Sequence, residues 1–74
     1  MKTENVRITT EYIKLDQLLK FAGIVPTGAD AKDMILSEAV SVNGEICTMR
    51  GKKMRPGDSA TVVFDDEEVV VEVS

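Results

Sequence analysis

Four basic side chains, Arg50, Lys52, Lys53 and Arg55, stand within six residues, with no carboxylate among them. Lysine and arginine in such a run neutralise backbone phosphates and release their counterions, so binding by them weakens as salt rises. Gly51, between Arg50 and Lys52, lets a backbone approach a phosphate closely. Double-stranded RNA is read mainly by shape and by contacts to phosphate and 2′-hydroxyl groups, a mode that suits a small basic face without exposed aromatics. A solvated turn of the same composition is the alternative, and the loop alone leaves both open.

Other groups with chemistry point away from catalysis. The chain has no histidine, which removes the commonest general base and metal ligand. Cys47 is the single cysteine, with no second thiol to pair and no imidazole to activate it, so it reads as a small packing residue. Asp65, Asp66, Glu67 and Glu68 are consecutive carboxylates. They lack the spacing and glycine of a calcium loop and read as a solvated turn that keeps RNA from that end. Tyr12, Phe21 and Phe64 are too few and too scattered for a base-stacking platform. Phe21 and Phe64 are expected in the core, Tyr12 partly exposed beside Lys14, and Met34, Met49 and Met54 as gap-fillers or loop anchors. No catalytic residue, metal or cofactor is expected.

The elements that must position these groups follow from periodicity. Val6-Arg7-Ile8-Thr9 alternates and predicts a short strand reaching towards Tyr12. Leu15, Leu18, Leu19 and Ala22 share one helix face, and Gly23 is placed to end that helix. Pro26 holds Val25 extended. Thr27 and Asp30 then form a T-x-x-D cap for a second helix with Ala31 and Ile35 inward, although an exposed helix start can also offer N–H groups to a phosphate. Asn43-Gly44 between Val40-Ser41-Val42 and Glu45-Ile46-Cys47-Thr48 is a strong hairpin signal. Arg55-Pro56-Gly57-Asp58 is a turn, Ala60 to Phe64 a strand, Asp65 to Glu68 a polar turn and Val69 to Val73 a last strand. The expected fold is α+β, with two short helices packed on a small, mainly antiparallel sheet of about four or five strands.

The totals bound this picture. With 74 residues there is room for one domain over 1–74, and 43% hydrophobic with 30% charged residues exclude a wholly disordered chain. No stretch approaches a membrane span, and the first residues lack a secretory pattern, so a cytoplasmic protein with no membrane partner is expected. The formal net charge of −4 argues against a nucleic-acid partner only until its distribution is considered, because basic and acidic runs are segregated along the chain.

Lys14-Leu15-Asp16-Gln17-Leu18-Leu19, Ala31-Lys32-Asp33-Met34-Ile35, Val40-Ser41-Val42-Asn43-Gly44 and Arg55-Pro56-Gly57-Asp58 together resemble the S-four (alpha-L) RNA-binding domain. The family's pattern runs approximately R-L-D-x-x-L, S-R-x-x-A-R-x-x-I, G-x-V-x-V-N-G and K-P-G-D, and the match covers about 14–64. No single motif is specific, but four in register are. The chain is similar to small stand-alone bacterial members. The resemblance implies that the helix pair and the following hairpin grip structured RNA, commonly ribosomal or transfer RNA. It nominates Lys14, Thr27, Lys32, Arg50, Lys52, Lys53 and Arg55 as contacts. Gly28, Ala29 and Met49 stand where relatives often carry basic residues. A non-catalytic monomer that binds ribosomal RNA or the ribosome is therefore expected. The competing readings are a protein-interaction module of the same fold and, far behind, an enzyme acting on RNA.

Overall fold

The computed structural model describes residues 2–64 and 67–74. The chain order is β1 (Lys2–Val6), β2 (Ile13–Lys14), α1 (Leu15–Phe21), α2 (Gly28–Leu36), β3 (Val40–Val42), β4 (Glu45–Ile46), β5 (Lys53–Met54), β6 (Ser59–Phe64) and β7 (Glu67–Val73). Five strands form one sheet in the order β1-β7-β6-β3-β4, and β2 and β5 form a separate two-stranded ladder. Among the described residues only β1 and β7 run parallel; the other pairs are antiparallel. The expected α+β class with two helices on a mainly antiparallel sheet is what the chain adopts.

Period-two patterning builds the inner face of the sheet. Val42, Ala60 and Val71 lie in one cross-strand row, and Val40, Val62 and Val69 in the next. All six are buried, with Leu15, Leu18 and Leu19 of α1 and Ala31 and Ile35 of α2 in the same core. Each such Leu, Ile or Val side chain taken from water contributes about 1.5–3 kcal/mol. That burial holds two helices too short to persist alone.

The helix ends follow the expected chemistry. Gly23 adopts φ 75°, so its N–H donates to Lys20 O at 3.1 Å and that of Ile24 to Leu19 O at 3.0 Å. These two bonds close α1 and turn Ile24 and Val25 back towards the core. At α2, Thr27 Oγ1 accepts from the Asp30 N–H at 3.2 Å and donates to Asp30 Oδ2 at 3.0 Å. The hairpin turns at Asn43 (φ 51°) and Gly44 (φ 89°), the left-handed pair that matches strand twist.

Three expectations are corrected. The first strand is Lys2–Val6, not Val6 onward. Val6 and Ile8 do pack inward while Arg7 is exposed, and past Val6 the backbone pairing continues only through Ser74, whose N–H donates to Val6 O at 2.9 Å and whose O accepts from the Ile8 N–H at 2.8 Å. Phe21 is 74% exposed instead of core; the stripe of Leu15, Leu18 and Leu19 takes the inner face of α1 and turns Phe21 outward with Gln17. Glu67 and Glu68 belong to β7, paired with Phe64 and Val63, and so are not turn residues. The expectations for Asp65, Asp66 and the Phe64 side chain lie outside the described residues.

Candidate nucleic-acid interface

The basic loop is tethered at three points. Met54 is fully buried and anchors β5, which pairs with β2 in the register Ile13↔Met54 and Lys14↔Lys53. Lys52 O accepts from the Leu15 N–H at 2.9 Å and Arg50 O from the Asp16 N–H at 3.2 Å. The N-terminus of α1 has no side-chain cap on Lys14, so these carbonyls supply what a capping side chain would otherwise supply. Carbonyls that turn inward to the helix leave the side chains outside: Arg50, Lys52 and Lys53 are all exposed.

The third tether joins two motifs far apart in sequence. Asp58 Oδ1 accepts from Asn43 Nδ2 at 3.2 Å, and Asp58 Oδ2 from the Arg55 N–H at 2.9 Å. Asn43 Oδ1 in turn accepts from the Ser59 N–H at 3.0 Å. The hairpin turn and the Pro56-Gly57 turn are thus clamped to each other, which fixes Arg55 relative to β3. The Arg55 N–H foremost, then the Asn43 amide, hold the Asp58 carboxyl below its ordinary range. Partial burial opposes the shift, and the charges of Lys52 and Arg55 add to it.

Lys14 and Lys53 are cross-strand partners with exposed side chains. Like charges placed directly opposite are destabilising, so this pair does not serve the fold. Lys53 Nζ lies 5.0 Å from the centroid of the Tyr12 ring, a cation–π distance that offsets part of the repulsion. Among the described residues the one ion pair is Lys2–Glu4 at 3.2 Å, so the described carboxylates pair with none of the nominated cations.

Of the seven nominated residues, the ladder and the loop bring Lys14, Arg50, Lys52 and Lys53 to the start of α1, and Arg55 follows at the clamped turn. Thr27 and Lys32 are carried by α2, which packs on α1. The Thr27 hydroxyl is occupied as a cap, while Lys32 is exposed. Sequence reasoning missed the clamp, because Asn43 read only as a turn residue. It also missed that Lys53 sits over Tyr12. Tyrosine two residues before Lys14 was the available signal, and the β2–β5 pairing that uses it joins segments some forty residues apart.

No group of histidine, cysteine and carboxylate side chains among the described residues is arranged to hold a metal ion. No helix among them is long and apolar enough to cross a membrane.

Residues 6–72 match the family model described as the S4 domain, a wider span than the four motifs cover. A relative from Bacillus subtilis (strain 168), "Probable ribosome maturation protein RlbA", is 40% identical over 53 residues, which is 72% of this chain and 75% of the relative. Among solved structures, trimeric Heat Shock Protein 15 of Vibrio cholerae has a TM-score of 0.71 at 25% identity over 81% of this chain. The match spans 60% of the length of that Vibrio protein's chain.

Proposed function

The chain belongs to the S4 domain family, and from that premise we propose that it binds structured RNA, ribosomal or transfer, without catalysis. The contacts are a basic face built from the helix pair and loop 50–55: Lys14, Thr27, Lys32, Arg50, Lys52, Lys53 and Arg55. The observation that carries this reading is the Lys14–Lys53 pair, held opposite each other with Arg50 and Lys52 turned outward beside it. A fold that sustains such a concentration of positive charge is relieved when phosphates neutralise it. The Bacillus relative's name, a probable ribosome maturation protein, supports ribosomal RNA or the ribosome as the target. The chain is taken to act in the cytoplasm as one domain and as a monomer. Sedimentation tests the last point, since the Vibrio relative is described as trimeric.

The test is a titration against ribosomal RNA at several salt concentrations, with the wild-type chain and with Lys52→Glu/Lys53→Glu. Each phosphate contact steepens the logarithmic salt dependence by about 0.7–0.9, so the double variant should lower the slope by roughly 1.5. Unchanged affinity and slope would exclude the basic loop. The other reading, a protein-interaction module, is favoured by the net charge of −4. It predicts a partner that stays bound after nuclease treatment.

A further inference from the structure

We propose that the groove between residues 7–12 and α1 receives one unpaired nucleotide of the RNA held by the basic loop, an inference that rests on the RNA reading of that loop. The groove encloses about 630 Å³, within the range of sites that take small organic ligands. Val6, Ile8 and Ile13, packed against the core, form an apolar floor. Tyr12 and Phe21, nine residues apart and unrelated in the sequence pattern, both line it. The aromatic side chains that read as scattered are brought together by the fold.

Phe21 is the feature without a structural explanation. At 74% it is the most exposed large apolar side chain described. Gln17 and Phe21, four residues apart, share one stripe along α1, Lys14 stands just before the helix, and all three line the groove. The opposite stripe, Leu15, Leu18 and Leu19, already fills the core, so folding makes no demand for an aromatic ring at position 21.

Charge decides between occupants. Arg7 and Lys14 line the groove with one carboxylate, Glu11. Lys14 is the cross-strand partner of Lys53, whose ammonium lies over the Tyr12 ring. The groove is therefore continuous with the basic loop and shares its sign. Two aromatic rings flanked by cations recognise a flat, π-faced group attached to a phosphate, which is a nucleotide released from its stack. Gln17 offers both a donor and an acceptor to a base edge. The Thr10 hydroxyl donates to Tyr12 O at 2.8 Å and braces the segment that carries the ring. An uninterrupted duplex keeps its bases stacked and has nothing to place there. The preferred RNA is then a stem with a bulge or a loop beside it.

Two synthetic RNA hairpins test this, one with an uninterrupted stem and one with the same stem carrying a single unpaired adenosine. Tyr12 is the only tyrosine and the chain has no tryptophan, so tyrosine emission reports on Tyr12 alone. The bulged hairpin should bind several-fold more tightly and quench that emission more deeply than the uninterrupted one, which meets Lys53 beside the ring but not the ring itself. Phe21→Ala, at an exposed helical position that alanine suits, should weaken binding of the bulged hairpin about tenfold. It should change binding of the uninterrupted hairpin less than about twofold. Equal affinity of the wild-type chain for both hairpins, with the same emission change for each, overturns the groove proposal and leaves the basic loop standing. So does Phe21→Ala weakening both hairpins alike. If Phe21→Ala changes only the sedimentation of the chain and not RNA binding, the groove is a self-association face and the proposal falls. Failure of the wild-type chain to bind either hairpin overturns both readings.

Discussion

Asp58→Asn isolates the clamp between the two turns. The substitution keeps the shape but leaves one acceptor oxygen where there were two. Its new amide hydrogens then face either the Arg55 N–H or the Asn43 amide, both of them donors. Hydrogen bonds to a charged group contribute about 1.5–3 kcal/mol. Asp58 is only half-buried, so solvent screening lowers the expected cost to about 1–2 kcal/mol. For a chain of this size that is a fall in Tm of roughly 5–15 °C, measured by circular dichroism. The pH dependence is the sharper test. Because the Arg55 N–H and the Asn43 amide hold the folded-state pKa of Asp58 below the ordinary carboxylate range, the unfolded chain binds the proton more readily. The carboxylate's contribution is then fully present above about pH 4 and is lost as pH falls through the folded pKa. The gap between wild type and Asp58→Asn should therefore be widest near neutral pH and narrow steadily below about pH 4. A gap that stays constant from pH 7 to pH 2, or an Asp58→Asn chain no less stable than wild type, would refute the clamp.

Two further predictions concern what holds the face in place. Thr27→Ala removes the acceptor for the Asp30 N–H and should cost about 1 kcal/mol in urea unfolding, with RNA affinity following only if the hydroxyl also meets a phosphate. Met54→Ala empties a fully buried site under β5 and should cost about 2–5 kcal/mol. Hydrogen exchange at the Leu15 and Asp16 amides, which donate to Lys52 O and Arg50 O, should accelerate beyond the change at the Asn43 and Val63 amides, which donate to Ser59 O and Ala39 O in the main sheet.

Local chemistry was legible, and long-range pairing was not. The Leu15–Leu18–Leu19 stripe, the Gly23 stop, the Thr27–Asp30 cap and the Asn43-Gly44 turn each depend on residues within a few positions of one another. Each appears as expected. Lys2-Thr3-Glu4-Asn5 has no apolar alternation, so nothing local marks β1. It is a polar edge strand that exists through parallel pairing with Val69–Val73, at the far end of the chain. Residue type alone puts Phe21 in the core, although its four-residue spacing from Gln17 places it on the outer stripe of α1. Of the candidate site, the identities of the cations were legible and their arrangement was not. The carbonyl bonds to α1 and the Asn43–Asp58 contact join residues 15 to 37 positions apart.

Those same contacts bear on how the face can work with so few charges. A mobile basic loop must be ordered on binding, and each immobilised long side chain and backbone segment subtracts from affinity. Here the backbone from Arg50 to Arg55 is already fixed by the α1 amides, the β2–β5 ladder and the Asp58 clamp. The ordering cost is met by folding, at the expense of holding Lys14 opposite Lys53. On the proposed reading, a fixed array of cations would also select: phosphates in the matching geometry would meet several at once, and those of a differently shaped RNA one or two. The carboxylates of Glu67, Glu68 and Glu72, all on β7, repel the same polymer from other orientations. A net charge of −4 is therefore compatible with an RNA binder that relies on shape and register, and it disfavours one that coats nucleic acid indiscriminately.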